Sequence, residues 1–208
     1  MIKLSNITDV GEYLNGISGV IFDLDDTLYG EKQYVYSGYV KIEEFLNIPN
    51  AADELWSFFK AGKAAVDEYL NQIGRPDLKN ECLAVYRSQF PDIRFYDGVP
   101  EMLARLRDDG KRLGIITDGR VEGQKNKIAA LGLEKLVDDI IVTDELGGVE
   151  FRKPNKTAFT IMQNKWQLPF ERLVYIGDNI AKDFIAPEEL GMKYIWFCNP
   201  DGLYFKKN

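Results

Sequence analysis

The chain reads as an α/β protein, a parallel sheet with an all-helical block inserted after its first strand. Three observations predict this. Short apolar runs recur at 19–22, 112–117, 140–143, 173–177 and 193–197, and they are continuous rather than alternating, as strands covered on both faces of a parallel sheet must be. Helical periodicities separate most of these runs, and the stretch 31–95 is helical throughout. Polar residues then gather just beyond the runs, where open α/β sheets bind their ligands.

The first run, Val20-Ile21-Phe22, breaks into Asp23-Leu24-Asp25-Asp26-Thr27-Leu28. Three carboxylates in four residues at the edge of a core repel one another, by roughly 4 kcal/mol for a pair about 4 Å apart at an effective dielectric near 20. A bound cation or a retained proton relieves that repulsion.

The block that follows reads as helices over Tyr34–Leu46, Ala51–Phe59, Gly62–Ile73 and Leu78–Phe90, with turns at Gly74-Arg75-Pro76-Asp77 and Phe90-Pro91-Asp92. The expected division is a core of residues 1–30 and 96–208 and a helical cap of residues 31–95 over the strand ends. In the core, Val99, Met102, Leu103 and Leu106 precede Gly110, Ile128 and Leu131 precede Gly132, and Phe159 and Met162 follow Pro154. Glycine after a helix and proline near its start are the usual punctuation. The succession is βαβ, with right-handed crossovers.

Composition narrows the chemistry. The 208 residues are 45% hydrophobic, enough for a real core, and carry 26 basic against 33 acidic side chains for a formal charge of −7. No basic block exists to bind nucleic acid or an anionic membrane, and no apolar run is long enough to span a bilayer. A soluble cytoplasmic protein is expected. Cys82 and Cys198 lack a CxxC spacing, so buried thiols are expected rather than a disulfide or zinc site. There is no histidine. Catalytic triads built on imidazole are therefore excluded, and any catalysis runs on carboxylates, lysine or a metal.

The polar residues beyond the strands span 160 positions, yet a parallel sheet brings them to one edge. They are Asp23 and Asp25 after the first strand, Thr117-Asp118-Gly119 after the second, Arg152-Lys153-Pro154 before a later helix, and Gly177-Asp178-Asn179 with Asp183 after the fourth. A lone carboxylate after a strand is more often a helix cap. Several converging on one edge with a lysine define a site.

These segments resemble, in order and spacing, the four motifs of the haloacid dehalogenase-like hydrolase superfamily, with the match running from about 18 to 198. The resemblance implies a Rossmann-like, three-layer α/β/α core with a small helical cap of the first cap class. It implies a phosphatase that uses Mg²⁺ to hydrolyse a small phosphorylated metabolite through an aspartyl-phosphate. Asp23 matches the nucleophile, Asp25 the general acid/base whose backbone carbonyl also meets the metal, and Lys153 the neutralising lysine. Thr117, Asp118 and Gly119 match the phosphate-binding turn. Asp23, Asp25 and Asp178 match the metal ligands, with Asp183 and Asn179 in support.

Family dehalogenases lack an acid at the position of Asp25, so this residue argues for phosphoryl transfer. A sugar phosphomutase in the same fold and a non-catalytic binding module stay open as alternatives. Arg120, Tyr29, Tyr34, Lys60 and Lys63 are the candidate substrate contacts, and Asp26 and Asp144 are expected to be caps or solvated acids.

Overall fold

A computed structural model of the chain describes residues 1–203 and 205. Its sheet contains six strands, β1 (Ile2–Leu4), β2 (Gly19–Phe22), β3 (Arg112–Thr117), β4 (Asp139–Val142), β5 (Leu173–Gly177) and β6 (Lys193–Phe197), in the order β1-β6-β5-β2-β3-β4. Every pairing is parallel. Five of the strands fall on the five apolar runs, β4 one residue earlier than its run. The sixth, β1, has no signature in the sequence because three residues on a sheet edge carry no periodicity; it pairs Ile2 with Ile195 and Leu4 with Phe197.

β2 sits between β5 and β3, with Val20, Ile21 and Phe22 fully buried. Burial on both faces is why its sequence is continuously apolar. The chain winds outward from β2 in both directions, which puts the switch of strand order at the end of β2.

Around the sheet lie α5 (Val99–Asp108), α6 (Val121–Leu131), α7 (Thr157–Trp166) and the short α8 (Ile185–Glu189). The architecture is a three-layer α/β/α Rossmann-like core with an inserted helical cap. α5 buries Val99, Met102, Leu103 and Leu106. α7 packs Phe159, Met162 and Trp166 into a cluster with Ile21, Ile116 and Tyr175. The contact is close because two strands present bare backbone to it. A Cβ on Gly19 would lie 2.7 Å from the Trp166 ring, and one on Gly114 would lie 2.9 Å from both Trp166 and Met162. Trp166 is fixed further by donating its indole N–H to Asp139 Oδ2 at 2.6 Å.

The chain divides into two compact units, one of Met1–Glu31 with the chain from Arg94 onward, the other Lys32–Ile93. The second is built from α1 (Glu31–Leu46), α2 (Ala51–Lys60), α3 (Ala65–Gln72) and α4 (Lys79–Ser88). Their inward faces bury Tyr39, Ile42, Leu55, Tyr69, Leu70 and Cys82. Tyr86 packs edge-on against Tyr34, and Gln89 Nε2 donates to the backbone carbonyls of Tyr34 and Tyr86. Cys82 and Cys198 are free thiols. Among the described residues, no helix is long and apolar enough to cross a membrane.

Candidate active site

The end of β2 places the first two acids. The Asp23 amide donates to the Ile176 carbonyl at 2.8 Å, so the ladder between β2 and β5 runs on into the acidic segment. Asp26 takes a left-handed φ of 52°, a conformation aspartate adopts more readily than most residues. Its Oδ1 accepts from the Glu31 amide at 2.8 Å and its Oδ2 from the Leu203 amide at 2.7 Å. Asp26 thus caps the start of α1.

Beside the end of β2 lies a cavity of about 280 Å³ lined by Asp23, Asp25, Glu31, Asp118, Arg152, Lys153, Asp178, Asn179 and Lys182. It brings together residues that follow β2, β3 and β5. Lys153 lies at its floor, fully buried in its side chain, with Nζ 2.8 Å from Asp23 Oδ1 and 2.9 Å from Asp183 Oδ1. It also donates to the Tyr175 hydroxyl at 2.7 Å. Burial works against its charge, but Asp183 and Asp23 outweigh burial and hold its pKa well above the usual lysine value. Pro154 does not open a helix directly; α7 starts three residues later, at Thr157.

Asp23, Asp178 and Asp183 can each aim one oxygen so that the three lie within 4.8 Å of one another. Burial, reinforced by Asp23 and Asp183, pushes the Asp178 carboxyl up to about 9. Burial also raises Asp23, to about 6 against the opposing charge of Lys153. Acids crowded into a poorly solvated pocket either keep protons or share a cation. A few hard carboxylate oxygens beside open space for waters and phosphoryl oxygens fit Mg²⁺. Asp183 is fully buried, accepts from the Asn179 amide at 2.9 Å through Oδ2, and is admitted because Gly177 beside it has no Cβ.

The turn after β3 supplies Thr117, Asp118 and Gly119. Thr117 is buried, and its Oγ1 accepts from Gln124 Nε2, which leaves the hydroxyl proton free to be donated. The Asp118 carboxylate is occupied elsewhere. Its Oδ1 accepts from the Thr143 hydroxyl and the Lys153 amide, both at 3.0 Å, and its Oδ2 pairs with Lys182 Nζ at 2.7 Å. Burial raises the Asp118 carboxyl, but Lys153 and Lys182 outweigh burial and the net shift is downward.

Asp25 is clamped by three donors. Lys127 Nζ lies 2.6 Å from Oδ1, the Tyr29 hydroxyl donates to the same oxygen, and Gln124 Nε2 donates to Oδ2 at 2.9 Å. Burial alone would raise this acid, but Lys127 with the hydrogen bonds from Tyr29 and Gln124 lowers it. Glu31 lines the same cavity, and burial with the nearby Asp25 pushes its carboxyl up to about 8.

Lys127, Gln124, Lys182 and Glu31 were missed from sequence. A signal did exist for two of them: Gln124, Lys127, Ile128 and Leu131 follow the i, i+3, i+4, i+7 spacing of a buried helical stripe, and all four are buried. Two polar residues inside such a stripe point at a partner in the interior.

Several expected substrate contacts are placed differently. Tyr29 is fully buried and serves Asp25 rather than a ligand. Tyr34 is buried against Tyr86 within the helical unit. Lys60 is exposed there, and Lys63 is drawn to Phe58 and Glu68. Arg120 is exposed at the start of α6 and does not line the cavity. Asp144 receives both arms of the Arg152 guanidinium at 2.7 Å, so it is paired rather than solvated.

The switch of strand order beside Asp23, a buried lysine and three acids able to share a cation thus gather at one edge of the sheet. Residues 20–197 match the family model of the haloacid dehalogenase-like hydrolases, and the chain belongs to that family. Its sequence is 29% identical over 191 residues to a glyceraldehyde 3-phosphate phosphatase of Methanocaldococcus jannaschii, covering 85% of this chain and 82% of the relative. The protein of that name from Methanopyrus kandleri is 27% identical over 196 residues. Among solved structures, the HAD-hydrolase YfnB of Bacillus subtilis, bound to magnesium, has a TM-score of 0.67 at 23% identity and covers 92% of this chain and 90% of its own. A hydrolase of Geobacter sulfurreducens has a TM-score of 0.69 at 16% identity, with 89% of each chain covered. The chain is thus a haloacid dehalogenase-like hydrolase, and three acids beside its innermost strands lie close enough to share a cation.

Proposed function

We propose that the chain is a Mg²⁺-dependent phosphatase working through an aspartyl-phosphate, with Asp23 the nucleophile, Asp25 the proton carrier and Lys153 the neutralising cation, and that its substrate is a small phosphorylated metabolite. The observation that carries the assignment is the Lys153 ammonium held between Asp23 and Asp183 in the buried floor of the cavity.

An Asp23 oxygen attacks phosphorus, and the bond from phosphorus to the ester oxygen breaks. Asp25 takes up a proton against the pull of Lys127 and gives it to the departing alkoxide. It then takes a proton from water as that water attacks the phosphorus of the aspartyl-phosphate, which frees Asp23 and inorganic phosphate. Oδ1 of Asp25 is occupied by Lys127 and Tyr29, so Oδ2, with only Gln124 as donor, is the atom that moves the proton. Thr117 Oγ1 and the amides of Asp118 and Gly119 bind phosphoryl oxygens, while Lys153 keeps the negative charge of nucleophile and phosphate from opposing attack. Asp23 and Asp178 would hold Mg²⁺, with the Asp25 carbonyl completing the protein ligands and Asp183 and Asn179 steadying them; the ion supplies positive charge to the phosphoryl oxygens.

The helical stretch 31–95 is proposed as the cap that restricts access to small esters. The relatives named glyceraldehyde 3-phosphate phosphatases support a substrate of triose size. Free thiols suit a cytoplasmic enzyme.

Phosphate release from a panel of sugar, polyol and triose phosphates with Mg²⁺, comparing the wild type with Asp23→Asn, tests the assignment. Loss of more than about a thousandfold in kcat is expected. Release that survives the substitution would overturn it.

A further inference from the structure

Each cation that lines the cavity is already engaged by an acid. Lys153 lies within 2.9 Å of Asp23 and Asp183, Lys182 within 2.7 Å of Asp118, and Arg152 forks onto Asp144 at 2.7 Å. Lys127, next to the cavity, is 2.6 Å from Asp25. The lining residues comprise five acids, Asp23, Asp25, Glu31, Asp118 and Asp178, against three cations. A divalent cation and a dianionic phosphoryl group cancel each other, so their arrival leaves this acidic balance in place.

Three of the five acids have a task in binding or chemistry, and a fourth, Asp118, is engaged by Thr143, Lys153 and Lys182. The fifth, Glu31, has none: among the described residues its amide donates to Asp26, and no hydrogen bond or ion pair engages its carboxyl. It nevertheless lines the same cavity as Asp25, the proposed proton carrier. A carboxyl there accepts from a hydroxyl in either protonation state. A second anionic group on the substrate would find no unpaired cation in the lining, and like charges set together are strongly disfavoured.

We infer that this pocket selects phosphate esters whose leaving group is small, uncharged and hydroxyl-bearing, with Glu31 accepting a leaving-group hydroxyl, and that it discriminates against esters carrying a carboxylate. The inference rests on the phosphatase reading above and names its substrate class.

Matched pairs that differ in one group test it. The pairs are 2-hydroxyethyl phosphate against 2-phosphoglycolate, and glycerol 3-phosphate against 3-phosphoglycerate, assayed by phosphate release with Mg²⁺ in wild type, Glu31→Gln and Glu31→Asp. The readout is the ratio of kcat/KM within each pair, so changes in chemistry common to both esters cancel. In the wild type the uncharged member should be favoured by at least about tenfold. Assayed at pH 9, where the Glu31 carboxyl is ionised, Glu31→Gln should shrink that ratio at least about threefold, and Glu31→Asp should restore part of it. The Asp variant also decides the point if the Gln variant does not fold, since shortening the arm should shrink the ratio as well. A wild type that favours the carboxylates or treats the members alike overturns the inference, as does a ratio that no Glu31 variant changes. Release from none of these esters, nor from p-nitrophenyl phosphate, would instead overturn the phosphatase reading on which it rests.

Discussion

Lys127 Nζ lies 2.6 Å from Asp25 Oδ1, although 102 residues separate the two in the chain. Both side chains are largely withdrawn from solvent, at 6% and 19% exposure, so water does little to screen the pair. The lysine fixes the carboxylate and, with Tyr29, fills one of its two oxygens.

Lys127→Met should therefore harm proton delivery more than phosphoryl transfer itself. For an alkyl phosphate, whose alkoxide needs a proton, kcat should fall by about 10²-fold or more. For p-nitrophenyl phosphate, whose phenolate leaves without one, the fall should be at least tenfold smaller. Equal losses on both esters, measured side by side, would show that Lys127 does no more than support the fold.

Lys153→Met leaves Asp23 and Asp183 buried without their shared cation. Breaking a buried ion pair from one side costs about 3–5 kcal/mol, which for a chain of this size lowers Tm by on the order of 10 °C in the absence of Mg²⁺. Activity should disappear with it. Calorimetry of wild type and variant in a chelator checks the first outcome, and phosphate release checks the second.

The acids at the cation site set a pH dependence. Asp178, Glu31 and Asp23 are raised by burial, to about 9, 8 and 6. Between the unfolded carboxyl range near pH 4 and these values, the native state binds more protons than the unfolded one, so stability falls as pH rises. In a chelator, Tm should drop between pH 6 and pH 9. Added Mg²⁺ replaces those protons, and its stabilising effect should grow over the same interval. Asp178→Asn should flatten both trends and weaken Mg²⁺ binding by about tenfold or more. Melting curves with and without Mg²⁺ at the two pH values provide the check.

Gly19→Ala drives a methyl group toward the Trp166 ring and Leu173, where a Cβ would lie 2.7 Å and 2.5 Å away. Neither neighbour is the loose end of a surface side chain, so the expected loss is about 1–3 kcal/mol in chemical denaturation. Gly62→Ala meets no neighbour, and its cost should come from its φ of 71° alone.

Asp23, Asp178 and Asp183 were legible in the sequence because they follow β2 and β5 within a few positions, Thr117 because it ends β3, and Lys153 because it stands with Pro154 before the next helix; parallel strands share one end. Asp23, Thr117, Lys153, Asp178 and Asp183 needed no knowledge of side-chain direction to be placed together. Lys127 and Lys182 did. A lysine on a helix or in a turn reads as solvated, and only tertiary packing aims these two at Asp25 and Asp118. Tyr29 failed in the opposite sense: its place beside the motif suggested a substrate contact, yet Asp25 takes its hydroxyl first. Strand β1 was hidden for a simpler reason, since three residues cannot display a period.

The hydrogen bond from the Asp23 amide to Ile176 joins the proposed nucleophile to the ladder of the innermost strand. Amides in such strands exchange with solvent only when the whole domain opens. The attacking carboxylate therefore stands on backbone whose exchange should be among the slowest in the protein. No partial opening can misplace it while the rest of the sheet stays folded, and the enzyme should lose its nucleophile only by losing its core.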